Sequence, residues 1–170
     1  MTIIVGASVL GVEDQRTGIA ALDERVPFLL SQLGAHVAGE FQRGMRDVGV
    51  RPRTYAVLMA LASEDGQSQR QLSSRLGIHR NAMVTVIDAL EADGLVKRIT
   101  HPDDRRAFAI TLTKRARGLL PDFDKAARTL EDAITAPLSA AERNALRDLL
   151  QRIAAGAGLI PGVHPGIADG

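Results

Sequence analysis

The hydrophobic pattern of this chain changes period at Gly94, and no other feature of the sequence limits the fold as tightly. Upstream, Leu72 and Leu76 form a helical pair, and after Gly77 a second apolar series, Met83, Ile87 and Leu90, recurs at i, i+4 and i+7. Two helices joined by so short a Gly-containing turn make a helix-turn-helix. Downstream of Gly94 the period drops to two. Val96 alternates with Lys97 and Arg98 before Ile99, and Phe108, Ile110 and Leu112 share one face of a second run. His101-Pro102-Asp103-Asp104 between the runs is a turn sequence, which predicts a β-hairpin placed as a wing.

Longer helices are expected on both sides. From Val26 to Val48 the residues Leu30, Leu33, Val37, Phe41 and Met45 recur at steps of three or four, with Pro27 tolerated in the first turn and Gly49 as the stop. A second helix spans about Arg53 to Ser63, and Ser68 with Gln71 makes a capping box for the helix holding Leu72 and Leu76. Thr113 caps a helix to about Ala136 that Pro121 should kink or divide, and Ser139 with Glu142 caps a last one carrying Leu146, Leu149, Leu150 and Ile153. The expected fold class is mainly α (α+β), a winged helix-turn-helix with long N- and C-terminal dimerisation helices. Its parts are a flexible arm 1–24, a dimerisation helix 25–50, the winged domain 51–112, C-terminal dimerisation helices 113–155 and a flexible tail 156–170. Long amphipathic helices around a small core leave apolar surface uncovered, which implies pairing with a second copy.

Composition removes several functions. Among 170 residues there is no cysteine, so disulfides, thiolate catalysis and Cys-containing zinc sites drop out, and a reducing, cytoplasmic location is expected. The apolar start Thr2 to Val12 has no basic flank and falls short of a bilayer span, so neither a signal peptide nor a membrane anchor is expected. The net charge of +1 hides an asymmetry: between Arg51 and Arg115 eleven basic residues face seven acidic ones, leaving the middle at +4 and the flanks at −3. A basic centre suits a polyanion.

Read in order, the middle contains Leu72-Ser-Ser-Arg-Leu-Gly-Ile78, Arg80-Asn81, Leu90-Glu-Ala-Asp-Gly-Leu-Val-Lys-Arg98, Asp104-Arg-Arg106 and Leu112-Thr113. This ordered set resembles the MarR family of bacterial regulators, and the helix order fits that family over roughly residues 25 to 155. The resemblance implies a homodimer with interlocking terminal helices, helix 79 to 93 in the major groove of double-stranded DNA and each wing over a minor groove. It implies that Arg80 and Asn81 meet bases or phosphates, with Val84 and Thr85 on the same face. It also implies that Asp104 orients Arg106 into the minor groove, Arg105 being the alternative tip residue. Arg70 and Arg75 are counted with the DNA-facing set. The chain departs from the pattern at His79, where a Ser or Thr N-cap is usual, at Thr85, where a basic residue is common, at Ala116 and at Pro121.

The residue chemistry agrees with that reading. A helix N-terminus with Arg and Asn offers donors to phosphates and base edges, Arg suiting guanine and Asn adenine, and a narrow minor groove attracts Arg. The alternative for Arg105 and Arg106 is surface pairing with Asp103 and Asp104, which are turn residues rather than metal ligands. The histidines, His36, His79, His101 and His164, lack short-range ligand spacing, so no metal or cofactor is expected. Gly6 and Gly11 lack the Lys-Ser/Thr ending of a phosphate loop, and nothing resembles a nucleophile elbow, so no enzyme is expected. Family members often bind small aromatic ligands, and the resemblance points to His36, Phe41, Arg53 and Tyr55 as a pocket; the alternative is that these four only pack and form a rim. The expected function is a sequence-specific transcriptional regulator, a repressor, on a pseudo-palindromic operator. The rival is a winged-helix module that binds protein through the same surface.

Overall fold

The computed structural model describes residues 18–100 and 107–167. The chain divides into two compact units, residues 1–36 and 37–170. In the first, a short helix α1, Ala20–Asp23, lies in what the sequence suggested was a loose arm. The boundary between the units falls within α2, Val26–Asp47. The rest of the second unit runs α3 (Pro52–Ser63), β1 (Gln67–Ser68), α4 (Gln69–Leu76), α5 (Arg80–Ala92), β2 (Val96–Thr100), β3 (Phe108–Leu112), α6 (Lys114–Thr135) and α7 (Ala140–Gly156). A single 3-10 turn, Pro165–Ile167, follows.

Local chemistry sets the ends of these helices. Gly77 ends α4 in the left-handed conformation (φ 66°), which costs glycine nothing and frees the chain to turn into α5. At the start of α4 the Gln71 backbone nitrogen donates to the Ser68 hydroxyl while the Gln71 side chain accepts from the Ser68 backbone nitrogen, and Ser139 with Glu142 does the same for α7. Pro121 does not divide α6, which runs unbroken from Lys114 to Thr135. Proline removes one internal hydrogen bond there, and the helix absorbs it.

The apolar faces of α3, α4, α5 and the hairpin meet in one core, and those of α2 and α7 do not join it. Val57, Leu58 and Leu61 of α3, Leu72 of α4, and Met83, Ile87 and Leu90 of α5 are fully buried, with Val96, Ile110 and Leu112 of the hairpin and Phe123 of α6 closing over them. The hairpin pairs antiparallel from Val96↔Leu112 to Thr100↔Phe108, the register the alternation requires. One strand was not anticipated: β1 adds to the other edge of β3, Gln67 opposite Ile110 and Ser68 opposite Ala109, giving the order β1-β3-β2. Two residues carry no readable period, so only their partner identifies them as a strand.

The segment after α7 corrects a second expectation, that of a loose tail from residue 156. Gly158 (φ 72°) and Gly162 (φ 73°) bend the chain back, and Ile167 ends partly buried against the core.

Candidate nucleic-acid interface

Helix α5 turns one face into the core and the other outward. Met83, Ile87 and Leu90 are buried, while Arg80, Asn81, Val84 and Thr85 are all exposed. His79 replaces the usual hydroxyl cap by a different atom: its Nδ1 accepts from the Asn81 backbone nitrogen at 3.3 Å. The helix start is thus capped, and its first turn holds no acidic side chain, so the partial positive charge of the helix end faces outward beside Arg80. The Thr85 hydroxyl donates to the Asn81 carbonyl at 3.3 Å.

The two arginines of α4 part company. Arg70 is exposed and lines a cavity of about 390 Å³ with Ser68, Gln71, Arg98, Phe108 and Ile110. Arg75 turns back to the end of α3, donating through Nη1 to the Ala60 carbonyl and Glu64 carboxylate, both at 3.3 Å, and through Nη2 to the Ser63 hydroxyl at 2.8 Å. Gln67 serves the same helix end, its amide donating to the carbonyls of Ala60 and Glu64 at 3.2 and 2.7 Å. The Ala60 carbonyl also accepts from the Glu64 nitrogen and the Ser63 hydroxyl, so β1 and α4 add their donors to a helix end that is already capped.

Five further residues, not singled out from sequence, root the wing. Arg98 of β2 donates to Asp88 and Glu91 of α5, and Glu91 also accepts from the Arg98 backbone nitrogen at 3.2 Å. Burial disfavours the Arg98 charge, but the hydrogen bonds and charges of the two carboxylates outweigh it and raise its pKa. At the hairpin's other end Asp65 accepts from the Leu112 backbone nitrogen at 2.9 Å and from Arg117 of α6 at 2.6 Å. The wing's Asp104, Arg105 and Arg106, with Asp103 and His101, lie outside the described residues.

Of the residues suggested for a ligand, those of the second unit divide between two settings. Arg53 and Tyr55 are two apart on α3 and so project to different sides. Tyr55 meets Phe41 edge-on, ring centroids 5.4 Å apart, and Phe123 at 5.9 Å. Burial, and then the Asp124 carboxylate, push the Tyr55 hydroxyl above its ordinary pKa. Arg53 instead donates through Nε and Nη2 to the Ile167 carbonyl, at 2.9 and 2.8 Å. His36 is an exposed residue of the first unit. Among the described residues no group of three or more His, Asp or Glu is placed to hold a metal ion, and no helix is long and apolar enough to cross a membrane.

Comparison with known proteins places this arrangement. Residues 48–107 match the family model described as the MarR family. A protein of Thauera aromatica, described as a transcriptional regulatory protein for the hcr operon, is 34% identical over 105 residues. That match takes in 62% of this chain and 63% of the relative, less than two thirds of its length. The transcriptional repressor CouR bound to a 23-mer DNA duplex is similar with a TM-score of 0.71 and 32% identity over 81% of this chain and 98% of that one. CouR from Rhodococcus jostii RHA1 bound to p-coumaroyl-CoA is similar with a TM-score of 0.66 and 31% identity, over 80% and 96%.

Proposed function

The chain belongs to the MarR family of transcriptional regulators, and from that premise we propose that it is a sequence-specific repressor binding a pseudo-palindromic operator as a homodimer in the cytoplasm. The observation that carries this reading is the outer face of α5, where Arg80, Asn81, Val84 and Thr85 stand exposed at a capped helix start free of acidic residues. In this reading α5 enters the major groove, Arg80 and Asn81 reading base edges or phosphates. Arg70, at the start of α4, reaches a phosphate beside it, and Arg106, held by Asp104, enters the minor groove with Arg105 at the tip. Arg75 serves the protein rather than the DNA, since its donors are already engaged by α3.

Dimerisation is supported by apolar side chains that the protomer leaves uncovered, Leu146, Leu149, Leu150 and Ile153 on α7 foremost. Release by a small aromatic ligand is supported by the Phe41, Tyr55 and Phe123 rings and by the p-coumaroyl-CoA that the similar CouR binds. Such a ligand lowers DNA affinity if it binds the conformation with mis-spaced reading helices more tightly.

The test is binding to a fluorescent duplex from upstream of the chain's own gene, titrated with salt and against nonspecific competitor. Saturable binding that falls log-linearly with salt, and is weakened by Arg106→Ala by about ten-fold or more, is expected. A wild-type chain that binds neither this duplex nor pooled genomic DNA overturns the reading and favours a protein partner for the same surface.

A further inference from the structure

The segment after α7 is built to arrive somewhere. Two left-handed glycines, Gly158 and Gly162, turn it, and Pro161 and Pro165 restrict it. Backbone bonds close it in steps, Leu159 N to the Ala154 carbonyl, Val163 N to that of Ile160 and Ile167 N to that of His164. His164 Nδ1 accepts from the Gly166 nitrogen at 3.1 Å, and a Cβ on Gly166 would stand 3.1 Å from the His164 ring. The path ends with Ile167 partly buried on the core and its carbonyl oxygen in the fork of Arg53.

That fork is chemically mismatched to its occupant. A guanidinium edge presents two parallel N–H groups suited to the two oxygens of a carboxylate, and here both meet one neutral oxygen, at 2.9 and 2.8 Å. An anionic group with two oxygens makes the stronger, charge-assisted pair. We propose that the Pro165–Ile167 turn is a tethered occupant of a binding site for small branched apolar carboxylic acids, with Arg53 holding the acid group and the place of the Ile167 side chain holding its apolar body. The tail wins without competitor because it is covalently attached and therefore present at high effective concentration. A free acid binds by displacing it, which also unpins the segment after α7 from the first turn of α3. A consequence of that release for DNA affinity rests on the effector reading above; the site and its occupant do not.

Since the chain has no cysteine, His164→Cys, an exposed position of the described tail, gives a unique attachment point for a nitroxide. An immobilised spectrum is expected, becoming mobile on Arg53→Gln and on adding N-acetyl-isoleucine, which carries the Ile167 side chain with a carboxylate in place of its amide. Calorimetry should find this acid bound about five-fold or more tightly by the full-length Ile167→Gly chain, because apparent affinity rises with the open fraction of the site. Arg53→Gln should abolish that binding. A label equally mobile with and without Arg53, an acid that binds without mobilising the label, or no binding by Ile167→Gly at millimolar acid overturns the proposal. Displacement of the tail without any change in DNA affinity upholds it while removing the acid as effector.

Discussion

Helices α5 and α7 have the same kind of apolar repeat and opposite fates. In α5, Met83, Ile87 and Leu90 are 0% exposed, whereas in α7 Leu146, Leu149, Leu150 and Ile153 stand at 40, 52, 39 and 49%. The repeat says that a face wants burial and is silent about what covers it. For α5 the cover is in the same chain: α3 and α4 on one side and the hairpin on the other. For α7 nothing among the described residues of the protomer covers it, and the proposed second copy is what makes sense of its sequence. In the proposed dimer one helix contributes to folding of the protomer, the other to its association.

The sharpest way to break this comparison is to truncate both faces. Leu90→Ala should cost about 2–5 kcal/mol in denaturant unfolding, through lost transfer energy and the cavity left behind. Leu149→Ala should cost the dilute protomer under about 1 kcal/mol, because its side chain is already half in water. The pair Leu149→Asp with Ile153→Asp should instead give a folded monomer in sedimentation equilibrium. A double variant that remains dimeric, or a Leu149→Ala protomer destabilised as much as Leu90→Ala, would show that α7 is covered in some other way.

Next in size is a contrast between two arginines of the helix-turn-helix. Arg80→Ala should weaken operator binding by about 1–3 kcal/mol, roughly 10- to 100-fold, with unfolding unchanged. Arg75→Ala should do the reverse, lowering stability by about 0.5–1 kcal/mol with DNA affinity unchanged, because three hydrogen bonds to the end of α3 are lost while the Ala60 carbonyl keeps its other donors. Equal effects of the two on DNA affinity would return Arg75 to the DNA face.

A smaller effect is expected where the wing meets α6. Asp65→Ala leaves the Leu112 nitrogen and Arg117 without their shared acceptor, at a cost of about 1–2 kcal/mol. Hydrogen exchange at Leu112 should accelerate with it, and an unchanged rate would mean that the hairpin alone protects that bond.

The smallest effect concerns the cap of α7. Hydrogen bonds from the Ser139 hydroxyl and backbone hold the Glu142 carboxyl below its ordinary pKa. A depressed folded pKa means that its contribution is complete above the unfolded value and fades as pH falls through the folded one. An NMR titration should find the Glu142 midpoint below that of an isolated glutamate and moved upward by Ser139→Ala; no movement would assign the shift to another group.

Much of the interface could be read from sequence. The helix-turn-helix and the hairpin register follow from apolar spacing within a few residues, both capping boxes from a serine three positions before a Gln or Glu, and the run Arg80, Asn81, Val84 and Thr85 from the family resemblance. His79 as a cap was not legible, since a ring nitrogen in that role has no propensity signal, and neither was the turn of Arg75 toward α3, since its acceptors lie eleven to fifteen residues away.

What the sequence determined by itself were features whose partners lie within one or two turns and whose residue types carry a known preference: where helices start, where they stop, which face is apolar and where the period changes. Only the tertiary structure decided that two residues at Gln67–Ser68 are a strand, that Arg98 belongs to Asp88 and Glu91, and that the tail ends on Arg53, 114 residues away. The reason is physical. Backbone caps and helical periods are closed by neighbours whose distance is set by bond geometry, while a long-range pair is settled only when the whole core has chosen which surfaces meet.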